Sequence, residues 1–354
     1  MATDSIVSGL TSPALLTSPP VSGVAAITPG ASAAASALAS STAPAASPAV
    51  AAAPSALQAA VASAASAQAG WSSLLADLTS ALQSTDLPTD VQAAAAQILD
   101  APLALDPPPT AEDLQHAIAQ SGLFLEAQLA AGGAPPEGDL KAALLNLVQA
   151  LDALAGPAPA STGAGLSPPY AGAPLKGQPP ATASLPPEAA LELVAALLSK
   201  EAKGALSRQV LMQAASLPKS GQAGSTQGAA QRPAASWLFE LLFATPDGAA
   251  VAQFEIDRDG EPPHDGAPDP IWRVRFSLDF APIGPIHARI SLGGGQAHVT
   301  LWAENEDTRS MLDAQQADLT DALRDDDLTA EVAVFQGRPN VAPAPAGQFM
   351  NRAV

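Results

Sequence analysis

Trp272-Arg273-Val274-Arg275-Phe276-Ser277-Leu278-Asp279-Phe280 alternates apolar and polar side chains without a break. A period of two places Trp272, Val274, Phe276, Leu278 and Phe280 on one side of a strand and Arg273, Arg275, Ser277 and Asp279 on the other, the mark of a half-buried sheet.

Working outward, Ala281-Pro282-Ile283-Gly284-Pro285 reads as a turn, and Ile286 to Leu292 returns toward Gly293-Gly294-Gly295 and a further strand ending at Trp302. The three glycines allow two loop lengths. A three-residue loop would pair Ile290 with His298 and mix core with solvent, whereas a two-residue loop at Gly294-Gly295 pairs Ile290 with Val299, Ala288 with Leu301 and Arg289 with Thr300. The second register is expected, with a glycine-favoured primed turn. Upstream, Trp237 to Ala244 and Val251 to Arg258 flank Thr245-Pro246-Asp247-Gly248 as a hairpin. Downstream, Asn305 is a natural N-cap followed by Glu306 and Asp307, and the helix it opens carries Met311, Leu312, Leu319 and Leu323 toward the sheet. Asp325-Asp326-Asp327 marks its exit, and Leu328 to Phe335 supplies a last strand. The expected class is α+β, a small C-terminal antiparallel sheet covered by one helix.

This register sends Arg273, Arg275, His287, Arg289 and His298 to the outer face, with Trp302 beside them. Such a stripe is unexpected in a chain of net charge −19. Either nearby carboxylates and water neutralise it, or it is a docking surface for an acidic or amphipathic partner, where arginine and tryptophan supply anchoring energy.

The rest of the 354 residues has another character. Alanine makes up roughly half of the 47% counted as hydrophobic, and Gly 26 with Pro 35 favour extended chain. A large globular enzyme is therefore not expected. The acidic balance argues against a nucleic-acid or anionic-membrane binder. Cys 0 excludes disulfides and thiolate chemistry, and no apolar run approaches the ~20 residues of a membrane span. Residues 1–235 hold only Trp71, Phe124 and Tyr170 as aromatics, with no lysine or arginine before Lys141. The composition suggests a long tether, mostly disordered with amphipathic helical segments. Residues 1–56 are expected to be disordered, without the basic start and apolar run of a signal peptide. Helical segments follow over 57–156: a stripe of Trp71, Leu74, Leu75, Leu78 and Leu82; a short helix opened by Thr89 with Gln92; a helix capped by Thr110 and Asp113 and carrying Leu114, Ile118, Leu125 and Leu129; and one with Leu140, Leu144, Leu147, Leu151 and Leu154. They either pack on one another or present docking stripes. A Pro/Gly linker at 157–186, a helix at 187–216, a linker at 217–235, a C-terminal domain at 236–337 and a loose tail at 338–354 complete the division.

Signals for catalysis are weak. His116, His264, His287 and His298 lack metal-ligand spacing, so no metal or cofactor is expected. Asp257-Arg258-Asp259-Gly260 begins like a calcium loop, but Glu261-Pro262-Pro263 breaks the ligand series. Gly293 to Gly295 lacks phosphate-loop context, and no G-x-S-x-G elbow occurs.

The run from Trp272 to Leu323 resembles the C-terminal domain of bacterial flagellar hook-length control proteins: an alternating strand into Leu278, Pro282, Ile283 and Gly284, then Leu301-Trp302-Ala303-Glu304, then a helix from Met311 to Leu323. Ile283 stands where the family usually has leucine. Ser121 to Ala127 and Asp139 to Leu145 look like middle segments of alphaproteobacterial members. The resemblance implies a non-enzymatic ruler, cytoplasmic before export and then secreted through the hook-basal body by the flagellar type III system. Its flexible N-terminal part would contact hook and hook-cap subunits. Its C-terminal domain would meet the cytoplasmic domain of the export-gate switch protein and change export from hook to filament subunits. Candidate partner-binding residues are then Arg273, Arg275, Pro282, Gly284, His287, Arg289 and Trp302. Nucleic acid and direct membrane insertion are not expected. Fully extended at roughly 3.3–3.6 Å per residue, residues 1–235 would reach on the order of 800 Å. The alternative is a secreted Ala/Pro-rich stalk or scaffold with a terminal protein-binding domain.

Overall fold

A computed structural model of the chain describes residues 49–156, 167–186, 188–217, 235–259 and 269–340. Six strands, β1 (Ala235–Thr245), β2 (Gly248–Asp259), β3 (Ile271–Phe280), β4 (Gly284–Gly293), β5 (Gln296–Ala303) and β6 (Thr329–Gln336), form one sheet in sequential order. The expected β4–β5 register holds, with Ile290 opposite Val299, Ala288 opposite Leu301 and Arg289 opposite Thr300. Gly294 and Gly295 take φ of 57° and 72°, a backbone that a β-carbon would strain, so the two-residue primed turn needs glycine there.

Two features of the expected sheet are corrected. It is mixed rather than antiparallel, because β5 and β6 run parallel. The connection between them is two helices rather than one, α8 (Glu306–Ala314) and α9 (Gln316–Asp325), broken at Gln315. A parallel pair needs a crossover that returns the chain to the starting end, and a bent helical pair supplies it. Asn305 caps α8 as expected, its Oδ1 accepting from Asp307 N at 2.9 Å. Gln316 Nε2 donates to Val332 O at 2.6 Å, tying α9 to β6.

Among the described residues, seven helices precede the sheet: α1 (Ala49–Ala67), α2 (Trp71–Ser84), α3 (Thr89–Leu99), α4 (Ala111–Ala119), α5 (Leu125–Ala130), α6 (Leu140–Asp152) and α7 (Leu191–Ser216). The stripes at Trp71, Leu74, Leu75 and Leu78 and at Leu140, Leu144, Leu147 and Leu151 are buried. They do not form a weak bundle on a tether. Trp71, Leu78, Val91, Ile98, Leu147, Val194 and Leu198 belong to one apolar core that also contains Leu242 of β1 and Val251 of β2. The abundant alanines fill this core by permitting close approach: Ala81, Ala95, Ala195, Ala202 and Ala205 are fully buried. At Gly204, a β-carbon would come within 2.5 Å of the Ala69 side chain, and Gly204 O accepts from Ala69 N at 3.0 Å.

Two local expectations also change. Thr89 is the first residue of α3 rather than its cap, and Gln92 Nε2 reaches back to Leu87 O at 2.7 Å. The helix expected from Thr110 through Leu129 divides into α4 and α5, because Gly122 adopts φ 85° and Gln209 Nε2 donates to Ser121 O at 3.1 Å. Residues 1–48, 157–166, 218–234 and 341–354, on which much of the expected disorder and linker falls, lie outside the described residues.

Glu201 of α7 lies beside Asp77 and Ser73 of α2, with its Oε2 buried and without a hydrogen-bond partner. Burial, with the Asp77 carboxylate adding to it, pushes its carboxyl up from 4.5 to about 7. The folded form holds the proton more tightly than the unfolded one, so stability falls as pH rises from about 4.5 through about 7 and levels off above. Glu201→Gln is expected to stabilise the chain at pH 8 by on the order of 2 kcal/mol, after discounting for its residual exposure, and to flatten that stretch of the profile. Thermal melts of both forms at pH 5 and pH 8 check this; an unchanged pH slope counts against it.

Candidate docking face

The alternation that builds the strands gives the sheet two faces of different chemistry. On one, Phe239, Phe254 and Phe276 stack across β1, β2 and β3 with ring centroids 5.5 and 5.2 Å apart. Leu103, Ile118 and Leu123 cover that face at β1, while α8 and α9 pack on β5 and β6 and leave Val299 and Val332 buried.

The other face carries the predicted stripe, which the register brings together. Arg273 stands opposite Ser291, Arg275 opposite Arg289, Arg289 opposite Thr300, and His287 opposite Trp302. Carboxylates neutralise most of it. Arg273 pairs with Asp259, and Arg275 with Glu255, whose side chain is 2% exposed. His287 Nε2 lies 3.0 Å from Glu304 Oε1, and His298 Nδ1 3.1 Å from Glu331 Oε2. Arg338 grips Glu304 from beyond β6 with Nε–Oε1 of 2.6 Å and Nη2–Oε2 of 2.8 Å. That hydrogen-bonded pair, helped by His287, holds the Glu304 carboxyl below the usual range. Burial raises the Glu255 carboxyl despite Arg275.

Arg289 is different. It is exposed and makes no ion pair or hydrogen bond among the described residues, and its guanidinium lies over the Trp302 ring at 5.9 Å from the centroid. Trp302 stacks in turn on Phe335, whose residue is 50% exposed. A small, shallow cleft, open to solvent, is lined here by Leu175, Arg275, His287, Arg289, Trp302 and Pro339. A free guanidinium over an aromatic shelf can take a carboxylate with an apolar neighbour.

Pro282 and Gly284 are not on this row. They belong to the turn between β3 and β4, where Gly284 takes φ 76° and Thr308 Oγ1 of α8 donates to Ile283 O at 2.7 Å. Their role in the fold is to shape that corner.

Sequence reasoning missed the element that covers the other half of the face. Residues 167–186, expected to be part of a linker, cross the sheet as a strap. Backbone N–H groups of Gly172, Lys176 and Gly177 donate to Glu255 Oε1 at 2.8 Å, Gln253 Oε1 at 2.9 Å and Ser277 Oγ at 3.2 Å. Gln178 exchanges backbone hydrogen bonds with Val251 at 2.8 and 2.9 Å. Its side chain accepts from Trp71 N at 2.9 Å and donates to Glu240 Oε1 at 3.1 Å. Ser184 then reaches Asp77 through both its backbone N–H and its Oγ. The only advance signal was the polar row Gln253, Glu255 and Ser277, facing a side that needed partners.

The fold and face define a mixed sheet that carries an arginine–tryptophan row as its candidate docking surface. Residues 265–343 match the family model described as flagellar hook-length control protein FliK, and this confirms the resemblance carried by Trp272 to Leu323. The match takes in β3 to β6 with α8 and α9, and leaves the helical half, the strap, β1 and β2 outside it. No curated protein and no solved structure matches the chain. Among the described residues no cluster suited to a metal ion occurs, and no helix is long and apolar enough to cross a membrane.

Proposed function

We propose that the chain is an exported ruler of hook length whose C-terminal module changes flagellar export from hook-type to filament-type substrates by docking the cytoplasmic domain of the export-gate switch protein. The family match over β3 to β6 carries this reading. The partner surface is the row of Arg289, Trp302 and Phe335, with His287 and Arg275 lining the cleft behind it. Its chemistry is that of protein recognition, an arginine and aromatics with no carboxylate on Arg289 among the described residues. The residues before β1 act as the measuring part, drawn through the hook in extended form and touching hook and cap subunits on the way.

The test is a single charge reversal. Arg289→Glu in the full chain is expected to weaken capture of the gate domain about tenfold or more and to give overlong hooks without filaments, while the melting temperature stays within about a degree of the parent. Arg275 is unsuited to this test, because reversing it would strand the buried Glu255 carboxylate. Unchanged capture with Arg289→Glu would remove the docking row from the proposal.

A further inference from the structure

The strap lies over the half of the polar face that adjoins the Arg289 row. Beneath it, three side-chain acceptors, Glu255 Oε1, Gln253 Oε1 and Ser277 Oγ, each take a backbone N–H of the strap, and Arg275 Nη1 donates to Ala173 O at 3.2 Å. These groups read backbone rather than strap side chains. Any extended segment with small residues can satisfy them. Pro169, Ala173 and Gly177 are the buried strap residues and Leu175 is half-buried at the cleft, so the strap buries mainly small side chains. Beyond the sheet, the strap is tied to the helical half through Gln178 to Trp71 N and through Ser184 to Asp77 of α2. It also lies outside the family-matched segment.

We propose that the strap is a removable cover over the second half of the docking face, and that the occupant replacing it is an extended, small-residue segment of the gate domain. That segment sets an aliphatic side chain in the place of Leu175 and a carboxylate on Arg289. This rests on the gate-docking reading above. Its consequence is an order of events. Drawing α1 to α6 out of the fold pulls on the strap, and the row Gln253, Glu255, Arg275 and Ser277 is vacated only after those helices have gone. The length measurement and the signal are thereby coupled through one segment.

Gly177→Val in the full chain provides the test. A β-carbon there would stand 2.7 Å from the backbone of Leu278 and Asp279, so the strap must lift while the sheet keeps all its side chains. Hydrogen exchange at the Gly172 and Lys176 amides is expected to accelerate at least about tenfold with β4 and β5 unchanged. Gate-domain affinity by titration calorimetry is expected to rise about tenfold, and a synthetic peptide of residues 168–186 to bind the variant and not the parent. Strap amides that stay protected in the variant overturn the proposal, since the strap is then part of the core. So does a freed strap with no gain in gate affinity while Arg289→Glu still weakens it. If the gate domain binds neither form, the docking reading has failed, and the peptide alone decides: binding to the variant only keeps a vacated backbone-reading face, and binding to neither removes it.

Discussion

Arg208→Met is expected to lower the unfolding free energy by about 3–5 kcal/mol, because it leaves a buried carboxylate without its cation. Arg208 of α7 and Glu240 of β1 have side chains 5% and 1% exposed, and Nε stands 2.6 Å from Oε1. The same oxygen accepts from Gln178, while Glu240 Oε2 has no partner, so nothing nearby replaces the guanidinium. Methionine keeps much of the volume and apolar stem, which confines the loss to charge and hydrogen bonding. The double variant Arg208→Met with Glu240→Leu should recover most of the stability, since a well-packed apolar pair costs no desolvation of charge. Urea titration reads both, with the slope held constant as the sign that the unfolded state is unchanged. A loss under about 1 kcal/mol for the single variant would show that water reaches the pair.

The pair also shows where the sequence was legible. The strands from Trp237 to Trp302 and the β4–β5 register followed from a period of two, because one slipped residue would have put Ile290 and Val299 in water, whereas the parallel pairing of β6 did not. The leucine stripes located α2, α6 and α7 for the same reason at a period of 3.6. What those stripes faced could not be read, since Leu242 and Val251 look the same in sequence whether they meet helices or solvent. Arg208 and Glu240 are separated by 32 residues, with nothing local to mark them as partners. The alanines misled because area was weighed rather than fit, and Ala95, Ala195 and Ala202 contribute by letting backbones approach. Of the proposed docking row, Arg289 and Trp302 were legible from alternation. Glu304 with Arg338, and the strap with Glu255, were not, because each pairs segments whose proximity only the folded sheet creates.

A core shared by α2, α3, α6, α7, β1 and β2 bears on how the proposed ruler would operate. A floppy leader would pass without work, whereas this helical half must be unfolded before it can be threaded, and the buried Arg208–Glu240 pair and Gln178 are among the contacts that resist. The site for testing length therefore moves. Composition alone points to the Pro/Gly stretch at 157–186, but deleting there removes the strap with its bonds to Glu255, Gln253, Ser277 and Asp77. Reach and the cover over the docking face would then change together. Removing about twenty residues between 10 and 40 leaves every one of those contacts in place. It should shorten hooks by up to about 70 Å, at 3.3–3.6 Å per residue of extended chain, with filaments still assembled. Removing residues 167–186 should instead leave the docking face uncovered from the start, so that export switches early and hooks are short whatever the length of the leader. Electron microscopy of isolated hooks from a deletion strain carrying each form measures both. Normal hooks with the first deletion would favour the alternative of a secreted stalk with a terminal binding module, because a stalk loses reach without any consequence for the hook.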